Sequence, residues 1–188
     1  VVLRAAALAA AAVSSCGCGA PALEGIGTSH ARRPGDPVEL ALRTVGGELV
    51  ALEDQRGAPC LVAVVTTYDG VSQAAIRVLS TFARAHLDTV VLAVVAQPDA
   101  ETFARLYDET FEPPYAVLWE PGDTIQQGTS DLGPFDAVPA FYMLGADGRV
   151  VDRFVGWIAE DRLEAMYEAA RARGGITASA EADEGTTE

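Results

Sequence analysis

The chain has 188 residues, a formal net charge of −14 and an apolar fraction of 49%. That length holds one domain with a full hydrophobic core and is short for two. Its 13 basic residues, all arginine, stand against 27 acidic ones, which argues against nucleic acid or an anionic membrane surface as a partner, since both need basic patches.

Residues 1–15 have the make-up of a short secretory leader. Arg4 supplies a positive end and the apolar stretch 5–13 matches a signal h-region. It is too short to span a bilayer, which takes about 20 apolar residues. The leader closes on Val13-Ser14-Ser15-Cys16, which resembles a bacterial lipobox. That resemblance implies a lipid on Cys16, a hydrophobic anchor worth roughly 0.8 kcal/mol per buried CH₂. The alternative is an ordinary cleaved signal with a chance cysteine. Residues 16–36 continue as a Gly/Pro/Ala-rich tether that contains Cys18 and a solvated His30.

A single domain is expected over residues 37–173. Residues 38–44 alternate apolar and polar, Gly46-Gly47 follows, and 48–52 resumes, which predicts a β-hairpin. A polar turn over 53–57 leads to the Val-rich run from Leu61, a strand covered on both faces. Beyond Tyr68-Asp69-Gly70-Val71-Ser72 the period changes, and Ile76, Leu79 and Phe82 recur at helical spacing. Asp69 is placed to cap that helix, which is expected to run to His86 or Leu87.

A second buried strand is predicted over 89–96, then a helix from Pro98-Asp99 through Thr110 with Phe103, Leu106 and Tyr107 on one face. Strand 115–119, a helical turn over 121–128 and a loop over 129–136 come next. Val138-Pro139 opens a strand to Leu144, and Asp147-Gly148 joins it to 149–155 as a hairpin. The closing helix is expected over 159–173, with Leu163, Met166 and Tyr167 inward and Arg171 and Arg173 near its C-terminus. Residues 174–188 are acidic and read as a disordered tail.

The strand, the turn and the helix capped by Asp69 resemble the active-site segment of thioredoxin-like proteins. More narrowly, the chain is similar to the envelope-anchored disulfide reductases of the TlpA-like redoxin family. An ungapped fit puts Tyr68 where that family keeps Trp, and Asp69 and Ser72 where it keeps the two cysteines of Cys-x-x-Cys. The order of elements implies a three-layer α/β sandwich with an N-terminal β-hairpin and a central mixed sheet. The Val138-Pro139 element, by the same resemblance, implies a cis peptide bond.

Thiol–disulfide exchange needs a thiolate at a helix N-terminus and a second thiol to resolve the mixed disulfide. Neither Asp69 nor Ser72 supplies one, so neither is expected to be catalytic. A peroxidase would want a cysteine in the Thr66-Thr67 turn, and a copper-binding assembly factor would want two, so no cofactor and no metal are expected. In the family the turn and the cis-Pro loop form a groove for extended polypeptide, here Tyr68, Gly70, Val71, Val138 and Pro139. The expected function is a redox-inactive, lipid-anchored envelope protein that binds another envelope protein or a peptide there. The alternative is a thiol oxidoreductase or peroxidase that uses Cys60 or Cys18 in an atypical way. A Cys18–Cys60 disulfide stays open as well.

Overall fold

The computed structural model describes residues 35–134 and 136–183, with side chains to Gly174. Its centre is a pair of parallel strands, β3 (Cys60–Val65) and β4 (Val90–Val95), buried almost throughout. Uniformly apolar, β-branched runs suit this position, because a parallel strand has a covered surface on both sides. Around the pair lie β1 (Ala41–Thr44), β2 (Leu49–Ala51), β5 (Ala116–Trp119), β6 (Ala140–Leu144) and β7 (Val150–Val155). The seven strands form one mixed sheet in the order β2-β1-β5-β4-β3-β6-β7. β4 and β5 run parallel to β3, whereas β6 runs antiparallel to it and β7 to β6.

One face of the sheet carries all three helices, α1 (Gly70–Ala85), α2 (Ala100–Phe111) and α3 (Glu160–Asp183). Leu61, Ala63 and Val65 point to that side, where they meet Leu79 and Phe82 of α1, Ala104 and Tyr107 of α2, and Leu163 and Met166 of α3. Cys60, Val62 and Val64 point the other way, onto Leu40, Leu42, Leu52, Ile125 and Leu132. The two-residue period of a strand makes this division. The third layer is built of turns. A 3₁₀ turn (Leu52–Gln55) and the segment from Pro121 cover that face, and no α-helix forms over 121–128. Asp123 there sits at φ 55°, a left-handed conformation that interrupts helical winding.

Other departures concern extents and faces. The first hairpin is shorter than expected, because residues ahead of Ala41 turn instead to the β6–β7 connection, where Val38 N donates to Gly148 O at 2.8 Å. On α2 the inner face is Ala100, Ala104 and Tyr107, and Leu106 is left 54% exposed. At about 100° per residue Leu106 is turned well away from Ala104 and Tyr107, which leaves it at the margin of the apolar face. The closing helix does not end at Arg173 but continues to Asp183, so Arg171 and Arg173 lie inside it and most of the expected tail is helical. Gly174 keeps ordinary helical torsions beside Ala146 rather than ending the helix, and the alanines that follow are strong helix formers. The leader, the lipobox with Cys16, the tether with Cys18 and His30, and residues 184–188 lie outside the described residues.

Candidate functional site

The C-terminal ends of β3 and β4 and the loop before β6 meet at one pole of the sheet. α1 starts there, and Asp69 caps it as the sequence predicts. Asp69 Oδ2 accepts from Ser72 N at 2.8 Å, and Oδ1 accepts from Val71 N at 3.3 Å. The Ser72 backbone N–H, with Ser72's hydroxyl and Val71's N–H behind it, holds the Asp69 carboxyl below the ordinary aspartate range. Ser72 is 1% exposed. Its Oγ donates to Asp69 Oδ2 at 2.9 Å and accepts from Thr66 N at 3.3 Å. Both oxygen side chains are therefore engaged with each other and with the turn itself.

This arrangement has little chemistry to offer. Ser72 is buried and its proton is committed to a carboxylate that, with a lowered pKa, is a poor base. Among the described residues, no group of three or more His, Cys, Asp or Glu side chains could hold a metal. Cys60 lies at the opposite end of β3, roughly 16 Å along the strand from Val65 at about 3.3 Å per residue. It is 3% exposed, and burial pushes its thiol up to about 12. A thiol so placed packs as a small core hydrophobe, and burial disfavours the thiolate, its nucleophilic form.

The expected groove residues are placed unevenly. Tyr68 is 75% exposed and shares with Val138 a cleft of about 250 Å³. Gly70 and Val71 are exposed on the first turn of α1 beside it, and a side chain added at Gly70 would meet nothing within 4 Å. Pro139 is buried and follows a cis bond from Val138, as expected. The carbonyl of Pro139 accepts from Gly156 N at 2.8 Å. That bond brings Trp157, 62% exposed, to the same pole.

Sequence reasoning passed over Trp157 and three further residues, Gln97, Gln126 and Asp136. Gln97 Oε1 accepts from Thr67 N at 2.7 Å and from Thr67 Oγ1 at 3.1 Å, which fixes the loop between β3 and Asp69. Gln97 is 3% exposed. A carboxamide immediately after an apolar strand was the available signal, because such a residue must find buried partners at the strand's end.

Comparison with solved structures identifies the architecture. The chain superimposes on the exposed lipoprotein thioredoxin of Streptococcus pneumoniae with a TM-score of 0.57 and 19% identity, covering 69% of this chain and 98% of that one. A thiol:disulfide interchange protein of the thioredoxin family from Chlorobium tepidum gives 0.58 and 19%, over 75% of this chain and 99% of that one. A Neisseria meningitidis protein described as a thioredoxin gives 0.63 and 17%, over 74% and 92%. The fold is thioredoxin-like. No protein-family model matches the sequence, and comparison with curated proteins returns no match. In this thioredoxin-like domain the capped turn at Asp69 and the cis-Pro139 loop share the pole at the C-terminal ends of the parallel strands, the usual place for a site on an open α/β sheet.

Proposed function

We propose that the chain is a redox-inactive thioredoxin-like lipoprotein of the bacterial cell envelope, tethered through Cys16, that binds an extended segment of another envelope protein at its degenerate active-site groove. The observation that carries this is the Asp69–Ser72 pair. Two oxygen side chains, hydrogen-bonded to each other, hold the first turn of α1 where exchange chemistry would need two thiols. Around them stands a surface suited to binding. Tyr68 and Trp157 are exposed aromatics near the cis-Pro139 loop, and such side chains supply most of the binding energy in many interfaces. Cys60, buried and raised to about 12, weighs against the oxidoreductase or peroxidase alternative, and Cys18 lies outside the described residues.

A photo-crosslinking residue placed at Val71 tests the groove, with one at Leu49, 64% exposed on β2, as a control. The expected result is one specific adduct from position 71 and none from 49. Equal labelling from both positions, or none from either, would remove the groove-binding role.

A further inference from the structure

The cleft shared by Tyr68 and Val138 has a chemical bias set by its hydrogen bonds. Its floor is Thr66 and Gln97, each 3% exposed, and its walls include Pro98, Gln126 and Asp136. Gln126 commits both hydrogens of Nε2, one to Gln97 O at 3.1 Å and one to Asp123 Oδ1 at 2.9 Å. A carbonyl and a carboxylate can only accept, so the amide orientation is fixed and Gln126 keeps its oxygen as the available group. Asp136 is exposed and adds a second acceptor.

Among the described residues no arginine lines the cleft, and the chain has no lysine. An anionic ligand would therefore meet acceptors and a carboxylate, with no positive charge among the described lining residues. A ligand rich in donors and positively charged meets the opposite situation. The volume of about 250 Å³ falls below the range of about 300–1,000 Å³ common for cofactor and drug-sized ligands, and suits one long side chain. Tyr68, Pro98 and Val138 offer apolar surface for an aliphatic stem, and the Tyr68 ring favours a cation over its face. The formal net charge of −14 acts in the same direction at longer range.

The geometry points to a specificity pocket in which this cleft receives one arginine or lysine side chain of the polypeptide lying on the groove. This rests on the proposed groove and adds the chemistry of what occupies it. The stem packs along Tyr68, Pro98 and Val138, and the charged head donates to Asp136 and Gln126 Oε1.

The test titrates the full chain with N-acetyl-arginine amide and with its neutral isostere N-acetyl-citrulline amide, observed by ¹H–¹⁵N NMR. Expected are saturable shifts confined to the Gln97 and Gln126 side-chain amides and the backbone of Thr67, Asp136 and Val138. The arginine probe should bind about tenfold tighter than citrulline, the scale of one lost charge-assisted hydrogen bond. Asp136→Asn, a change on an exposed loop, should erase that difference. Equal binding of the two probes, shifts elsewhere, or no saturable shift would each overturn the proposal. The probes are single residues, so their failure falls on the cleft alone, whereas the groove stands or falls on the adduct at position 71.

Discussion

Asp69 carries the local logic of the site. Its carboxylate meets the first backbone N–H groups of α1 and the buried Ser72 hydroxyl, so it satisfies orphan donors and places negative charge at the positive end of the helix. Asp69→Ala should destabilise the domain by about 1 kcal/mol, measured by chemical denaturation near neutral pH. The carboxyl pKa is lower in the folded chain than its ordinary 3.8. The charged form therefore stabilises the fold above that value, and the contribution fades as pH falls below it toward the folded-state pKa. The stability gap between wild type and Asp69→Ala should shrink in acid; a gap constant from pH 7 to pH 2 would contradict the assignment. Ser72 differs from Asp69 because its oxygen is a buried acceptor for Thr66 N as well as a donor, which ties the end of β3 to the helix it launches.

At the scale of elements, α1 holds the turn in position by packing Leu79 and Phe82 against β3 and β4. Leu79→Ala empties a site that is 0% exposed and should cost about 2–5 kcal/mol in denaturant midpoint terms. A loss under about 0.5 kcal/mol would mean that α1 is not anchored there. Elements of this kind were readable from the sequence because local and global preferences agree. Cys60–Val65 and Val90–Val95 are apolar runs that only a doubly covered strand accommodates, and the helical period begins directly after an Asp cap. Where local signals and tertiary packing disagree, the sequence misleads. The acidic stretch from Gly174 reads as a tail, yet α3 continues through it to Asp183. Leu106 looks like a core residue, yet Ala100, Ala104 and Tyr107 take the inner face of α2. The cleft was invisible for another reason. Thr66, Gln97, Gln126 and Asp136 come from four separate segments, and only the pairing of β3 with β4 and β6, and of β4 with β5, brings their ends together.

At the scale of the whole molecule, the proposed binding surface and the one described thiol lie at opposite ends of the central strand. Cys60 pairs with Val90 and Leu144 in the sheet, far from the pole that carries Tyr68 and Val138. A maleimide should leave Cys60 unmodified in the native chain at pH 8 and modify it fully after unfolding, read by peptide mass mapping. Rapid native labelling of Cys60 would show an accessible, ionised thiol and revive the oxidoreductase alternative. Separation of this kind would let one scaffold hold polypeptide at the proposed groove whatever chemistry stands there, since fold and function are specified by different residues. On the proposed reading, the pole keeps the geometry for holding polypeptide while the oxygen side chains of Asp69 and Ser72 fill its redox positions. Disulfide reduction of insulin by the wild-type chain and by the Asp69→Cys, Ser72→Cys double variant tests this most directly: the account predicts no turnover by the first and measurable turnover by the second. Turnover by wild type, or a folded double variant that stays inert, would contradict it.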